Sequence, residues 1–298
     1  MSKLNEDKIG SNYERLRNSH PCFGRCAART GRIHLPVSPG CNIACRFCER
    51  AVNNYEQRPG VTAHILKPEE SLAIVGKSIA LCPEIKVVGI AGPGDTLATN
   101  NALQTFRLIG KEFPDLIKCM STNGLLLNEK ADEIIDAGID SLTVTVNAID
   151  PEIEARLNKY IIWHGEKIEG INGAKILIEN QLKGIKKVAA AGVTVKVNSV
   201  LVSEINQFHL PQIAQRVAEA GARIYNIIPL IPQFELKDCE APNCIQIAAA
   251  RNAASKYIDM FRHCQRCRAD AIGIPGKTDI RTLVYKEGID VKETFSHG

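Results

Sequence analysis

Six short runs rich in Val and Ile recur along the chain, separated by stretches with helical periodicity. The runs are Ile33–Ser38, Val87–Ala91, Ile117–Ser121, Ser141–Val146, Thr194–Val200 and Ile224–Leu230. Most are near-continuously apolar, as expected of strands covered on both faces. Helices are expected over Pro68–Ala80, whose Pro-Glu-Glu start suits an N-terminus, and over Asn101–Lys111. Another runs from an Asn128 cap to Gly138, and two more span Gly173–Ala191 and Leu210–Ala220. Such alternation calls for parallel βαβ units, so the fold class is α/β. Right-handed crossovers would curl the sheet into a partial (β/α)6 barrel of the TIM type, with chemistry at the C-terminal strand ends. A doubly wound open sheet is the competing arrangement. No linker or repeat interrupts the pattern. Residues 1–298 therefore read as one domain, with an N-terminal arm (1–32), a barrel core (33–233) and a C-terminal tail (234–298).

Charge excludes little and includes less. The 37 Lys+Arg against 33 Asp+Glu leave +4, spread along the chain, which argues for neither nucleic acid nor membrane as partner. No run reaches the ~18 apolar residues of a spanning helix, and the N-terminus lacks a signal-peptide core. A cytoplasmic location is expected.

Cysteine carries the chemistry. There are eleven, an odd count in a chain expected to stay in a reducing compartment, so soft-metal ligation outweighs a disulfide framework. Directly after the first strand comes Cys41-Asn-Ile-Ala-Cys45-Arg-Phe-Cys48. Three thiolates in a tight loop can hold three irons of a [4Fe–4S] cube. The fourth iron is then open to chelate the amino and carboxylate groups of S-adenosylmethionine (SAM). This CxxxCxxC spacing resembles the radical SAM signature, in which the cluster's electron cleaves SAM to a 5′-deoxyadenosyl radical. A zinc knuckle lacking a ligand, or buried structural cysteines, are the plainer readings. Gly92, Gly94 and Asp95 after the second strand, with Ser121, Asn123, Asn147, Asn198 and Ile228 at later strand ends, are the expected cofactor contacts. Taken singly, the polar residues among them would serve as caps or turns.

Other thiols exceed what one cluster uses. Cys264-Gln-Arg-Cys267 is a pair short of a four-coordinate site, which His20, Cys22 and Cys26 of the arm could complete. Cys119 lies near a strand's C-terminal end, as a ligand or a small core residue. Cys82, Cys239 and Cys244 lack partner spacing and read as inert thiols; His164 reads as a surface group.

Together these segments resemble the NifB family of nitrogenase cofactor maturases. The resemblance runs through His20-Pro-Cys22, the triplet, Arg58-Pro-Gly-Val61, Gly89–Asp95, Ser121–Gly124, Val144–Ala148, Lys196–Val200, Ile228–Pro232 and His263–Gly273. It implies one SAM-cleaving [4Fe–4S] cluster and two more serving as substrates. One SAM would donate a methyl group and another would yield the radical that abstracts its hydrogen. Further deprotonation, an added sulfur and fusion of the substrate cubes around the resulting carbide would give the [8Fe–9S–C] precursor. Position by position, the resemblance implies that Cys41, Cys45 and Cys48 hold the SAM cluster. Cys22, Cys264 and Cys267 match ligands of one substrate cluster, and His20 and Cys119 those of the other. Glu56 matches an acidic residue near the reaction and, with Arg58, is the expected catalytic pair. Partners would be a low-potential electron donor, an iron–sulfur donor and a cofactor acceptor.

The chain departs from that pattern once. The family places a further cysteine soon after the triplet, whereas Glu49-Arg-Ala-Val-Asn-Asn-Tyr-Glu56 has none. Cys26 is the expected substitute. The gap also favours a second expectation, a NifB-like radical SAM enzyme that acts on another metal cofactor, or on an organic substrate with one auxiliary cluster. A non-catalytic iron–sulfur carrier or zinc scaffold is the third.

Overall fold

The computed structural model describes residues 3–24 and 29–285, with side chains from residue 10 onward. At its centre is an eight-stranded sheet. Its strands are β1 (Gly31–His34), β2 (Ile85–Ile90), β3 (Ile117–Thr122), β4 (Ser141–Thr145), β5 (Thr194–Leu201), β6 (Ile224–Pro229), β7 (Asp259–Met260) and β8 (Ile272–Gly273). Strands β1 to β7 are parallel and lie side by side in chain order, and β8 adds to the outer edge of β1, antiparallel. A doubly wound sheet must reverse its order at a switch point. Here the order never reverses, so right-handed crossovers carry the helices to one face and leave the other concave. The competing open arrangement is thereby set aside in favour of a partial barrel.

The expected strands are present, but their burial follows a different rule. Val88, Ile90, Met120, Leu142, Val144, Val195, Val197, Tyr225 and Ile227 join the helix-facing core, each fully buried. Their alternate neighbours Arg32, His34, Gly89, Cys119, Ser121, Thr143, Thr145, Lys196 and Asn198 face the concave side instead. The period of two is that of any strand. The outward set packs at about 1.5–3 kcal/mol per large aliphatic residue. The inward set is free to be polar. Runs that look uniformly apolar in sequence are in fact divided between a core and a site.

Helices α1 (Lys3–Ser19), α2 (Ser71–Leu81), α3 (Asn101–Glu112), α4 (Ala131–Asp136), α5 (Pro151–Leu157), α6 (Gly170–Ala190), α7 (Leu210–Glu219), α8 (Cys244–Ala254) and α9 (Arg281–Val284) complete the framework. The expected Asn128 cap is not formed. Residues 124–130 run as a turn, closed by Leu127 N–H on Gly124 O and Lys130 N–H on Leu126 O, so Lys130 takes the N-cap position. Strand β1 stops at His34, short of the expected Ser38, since Pro36 has no N–H to extend the ladder. Missed altogether are α5, capped by Asp150 with Pro151 in its first turn, and the hairpin Asn158–Trp163/Glu166–Glu169 behind it. Among the described residues no helix is long and apolar enough to cross a membrane.

The tail is bound into the barrel by a buried ion pair. Arg268 donates Nε–H to Asp270 Oδ1 at 2.8 Å and Nη2–H to Oδ2 at 2.9 Å, with the side chains 1% and 0% exposed. Arg268 also donates to the carbonyls of Asn53 and Glu56. Asp270 accepts the Ala63 N–H at 2.6 Å. Burial alone would raise the Asp270 carboxyl, but Arg268, Ala63 N–H and Arg281 outweigh it and hold the group below its ordinary range. Removing one partner strands a buried charge, which costs about 3–5 kcal/mol. Arg268→Met is therefore expected to lower unfolding free energy by about that amount in urea denaturation. A loss well under about 1 kcal/mol would show that the pair does not pin the tail.

Candidate active site

The concave face opens into a cavity of about 640 Å³ at the C-terminal ends of the strands. Cys41, Cys45 and Cys48 occupy one part of its wall, on the loop after β1. That loop is braced as a short strand: Ile43 and Cys45 pair antiparallel with Ile161 and Asn158, and Arg46 N–H reaches Leu157 O. Burial pushes the Cys41 thiol up to about 12, with Asp95 adding to it. Burial raises Cys45 well above its ordinary value, with Cys48 and Cys41 adding. Burial also raises Cys48, although Arg50 and Arg58 oppose the rise. Desolvated thiols that raise one another lose their protons when a cation takes their place.

A second thiol group lines the same cavity: Cys22 from the arm, Cys119 from β3, and Cys264 and Cys267 from the tail. Burial takes Cys22 up to about 12. Lys196 opposes this, while Cys267, Cys119 and Cys264 add to it, so all four thiols lie within electrostatic reach. Arg32 Nη2–H donates to Cys267 Sγ at 3.3 Å. Lys196, buried on β5, projects between the Phe23 and Phe261 rings at 5.7 and 5.2 Å. Among the described residues no three His, Cys, Asp or Glu converge on a single ion. Donors spread around a volume, not a point, fit a multinuclear iron–sulfur core better than zinc.

Two histidines flank this group. His20 accepts the Cys22 N–H on Nδ1 at 3.0 Å, and its Nε2 is buried without a partner. His34, which the sequence reading overlooked, meets the Arg268 carbonyl through Nδ1 at 2.9 Å. That contact makes Nδ1 the protonated nitrogen and leaves the Nε2 lone pair unprotonated. Burial, then Arg32, lowers its pKa to about 4, so the ring is neutral. A neutral ring oriented by a carbonyl is a ready metal ligand. Its signal in sequence was the alternation Arg32-Ile33-His34, which sends both polar residues inward.

The expected cofactor contacts divide by how their atoms are used. Ser121, Asn123, Asn147, Asn198 and Ile228 line the cavity, as do Gly94 and Asp95; Gly92 does not. Asp95 accepts from Thr122 Oγ1, Asn123 N and Leu97 N, so its carboxylate braces loops and does not reach for a ligand. At Gly94 a Cβ would stand 1.9 Å from Gly40 O, so glycine serves the close approach of the cysteine loop, not of a cofactor. Asn123 supports that loop through Asn42 Oδ1 at 2.7 Å. Asn147 accepts the Val200 N–H.

Glu56 and Arg58 do not line the cavity. Glu56 is bound by Arg58 Nε at 2.5 Å and Asn53 Nδ2 at 2.6 Å, while Arg58 also donates to Glu49 O. The expected catalytic pair thus closes the segment that lacks the family's cysteine. Cys26 lies outside the described residues. Cys82, Cys239 and Cys244 stand away from the cavity wall, and His164 is an exposed partner of Glu129.

One titratable group was not anticipated. Glu154 of α5 lines the cavity, 1% exposed, and accepts from Asn158 Nδ2. Burial raises its carboxyl to about 7, against the opposing pull of Asn158 and Ala148. A folded-state value above the ordinary 4.5 means that the fold favours the protonated acid. Stability is then full below about pH 4.5 and declines as pH rises through about 7, by roughly 3 kcal/mol. In the metal-free chain, Glu154→Gln is expected to remove most of that decline. Urea denaturation at pH 5 and pH 8 tests this: parallel losses in both proteins would refute it.

Residues 35–227 match the Radical SAM superfamily. The chain is 43% identical over 280 residues to the FeMo cofactor biosynthesis protein NifB of Methanocaldococcus infernus, covering 93% of this chain and 92% of that one. It is 44% identical to the protein of the same name from Methanocaldococcus jannaschii, covering 93% of each. The Klebsiella pneumoniae protein is 40% identical, but only 57% of its length is covered. Among solved structures, Streptococcus suis SuiB superimposes with a TM-score of 0.58 at 10% identity, covering 78% of this chain and 49% of that chain. Methylornithine synthase PylB gives 0.52 at 14% identity, covering 87% and 71%. These two share the fold alone. With both the signature loop and the strand order accounted for, the chain belongs to the NifB family of radical SAM enzymes.

Proposed function

We propose that this enzyme takes two [4Fe–4S] clusters as substrates, fuses them with one added inorganic sulfide and inserts a carbide from a SAM methyl group, giving the [8Fe–9S–C] precursor of nitrogenase cofactors. The observation that carries this reading is the second thiol group. Reductive SAM cleavage needs only the triplet, whereas four further thiols line the same cavity. The relatives are FeMo cofactor biosynthesis proteins, which supports the same product class. When bound, the resident cluster and SAM supply a low-potential electron, a 5′-deoxyadenosyl radical and a methyl carbon.

The chain's own residues do the rest. Cys41, Cys45 and Cys48 hold the resident cluster at three corners, with Arg50 and Arg58 offsetting their charge. Cys22, Cys264 and Cys267 hold one substrate cluster. Cys119 and His34 face the other, with His20 alongside. Lys196 and Arg32, themselves buried, bring positive charge to anionic cores, where such charge is weakly screened. A low-potential donor, an iron–sulfur donor and a cofactor acceptor are the implied partners.

A second reading is favoured by the segment Glu49–Glu56, which offers no thiol and whose Asn53 and Glu56 side chains are bonded to each other. It is a NifB-like enzyme with one auxiliary cluster that acts on another metal cofactor or an organic substrate. Anaerobic reconstitution separates the two, with about twelve irons per chain for three clusters and about eight for two. Incubation with methyl-labelled SAM and reductant is expected to yield 5′-deoxyadenosine and S-adenosylhomocysteine together, with label retained in the isolated cluster. Formation of 5′-deoxyadenosine alone would overturn the carbide reading. Replacing Cys264 and Cys267 by Ser is expected to remove about four irons while leaving reductive SAM cleavage intact.

A further inference from the structure

Lys196 places a buried ammonium in the cavity with no anion to answer it. The residue is 6% exposed and lines the cavity from β5. Its Nζ lies 5.7 Å from the centre of the Phe23 ring and 5.2 Å from that of Phe261. Among the described residues its side chain makes no hydrogen bond and no ion pair. Two ring faces attract a cation, but they leave its three N–H donors unused. A charge taken out of water without an anionic partner is costly. Such a group describes a site whose counter-ion arrives with the ligand.

The surroundings identify that ligand. Phe23 directly follows Cys22, and Phe261 lies three residues before Cys264. Both rings belong to one apolar cluster, against which Cys22, Cys119 and Cys264 all pack. The ammonium therefore stands where the two sets of substrate-cluster donors meet. Its charge acts on Cys22 of one set and on Cys119, His20 and His34 of the other. Arg32, also buried, is committed elsewhere, to Cys267 Sγ and the Gly273 carbonyl. A [4Fe–4S] cube held by thiolates is a net anion, and its sulfides accept hydrogen bonds. Two such anions repel one another, yet fusion requires them in contact.

We propose that the Lys196 ammonium bridges the two substrate clusters, donating hydrogen bonds to sulfides of both and offsetting their repulsion before they fuse. The assignment rests on the reading in which two clusters are substrates. The stem passes between Phe23 and Phe261, which fixes where the charge stands. Three rotatable donors on one nitrogen can serve acceptors on opposite sides.

Redox titration of the reconstituted protein, followed anaerobically by electron paramagnetic resonance, tests the bridge. Lys196→Met and Lys196→Gln remove the charge at similar volume, and Lys196→Arg restores it. Iron content verifies that about twelve irons per chain remain. A cation beside a cluster favours its reduced state. The neutral variants are therefore expected to lower the reduced-to-oxidised ratio of both substrate clusters about 10-fold at a fixed potential, about 59 mV for a one-electron couple. Lys196→Arg is expected to recover most of that shift, and the cluster of Cys41, Cys45 and Cys48 to keep its potential in every variant. Each substrate cluster is read by itself in a second background: the Cys264→Ser/Cys267→Ser chain for the cluster of Cys119, and Cys119→Ala for that of Cys22. A shift in one substrate cluster only, in neither, or equally in all three clusters would overturn the proposal. So would a Lys196→Arg chain that titrates like Lys196→Met. A wild-type content of about eight irons would overturn both the bridge and the two-substrate reading. Both shifts without methyl label in an isolated cluster would leave the bridge standing and count against carbide insertion alone.

Discussion

The buried bond between Arg268 and Asp270 fixes the parts of the site to one another. Its guanidinium reaches the carbonyls of Asn53 and Glu56, its carboxylate takes the Ala63 N–H, and its own carbonyl meets His34. Ala269 N–H adds a bond to Val61 O. One short tail segment therefore fastens the chain after the triplet, the first strand and the Cys264/Cys267 pair into a single wall. A buried ion pair is weak evidence of stability in itself, since desolvation offsets much of the attraction. Here its use is positional. Two bidentate groups at fixed angles hold elements separated by more than two hundred residues to one register, as an apolar contact could not.

Charge is distributed inside the cavity in a way the near-neutral composition conceals. Each thiol group is paired with its own cations: Arg50 and Arg58 act on the triplet, and Lys196 and Arg32 lie among Cys22, Cys119 and Cys267. Burial keeps the triplet thiols, Cys22 and Cys119 protonated until metal displaces their protons, so loading couples to proton release and to stability. The two groups share a cavity without sharing ligands. Under the proposed function, that separation would let one cluster stay resident while another is handled as cargo.

The strand order and the triplet were legible because both are local. Period, glycine stops and a CxxxCxxC spacing each act over a few residues, and Gly192, at φ +97°, ends α6 where the sequence says it should. Long-range pairing was less legible. The contributions of β7 and β8 depend on partners far away in sequence, and two-residue strands carry no periodicity. The hairpin after α5 escaped because Asn158–Trp163 directly follows a helix with no turn signal between them. His34 was hidden inside an apolar-looking run whose alternation becomes visible only when one face is known to be wet. Asp95 and Gly94 were recognised as special, but their bonds to the segment before the triplet were not: Gly94 N–H reaches Ser38 O and Asp95 N–H reaches Gly40 O.

Unpartnered groups separate what awaits a ligand from what does not. His20 Nε2, Glu154 Oε2, Asn158 Oδ1 and Asn42 Nδ2 are buried with nothing to bond. Such groups lower the stability of the empty fold and raise that of any state in which a ligand answers them. The segment Asn53–Arg58 is the opposite case: Asn53 Oδ1 takes the N–H groups of Tyr55 and Glu56, and Glu56 is held from both sides. With its polar atoms already satisfied, it has no bonding deficit through which to hold iron. Under the proposed function, Cys119, His34 and His20 would then face the second substrate cluster without a ligand from this segment.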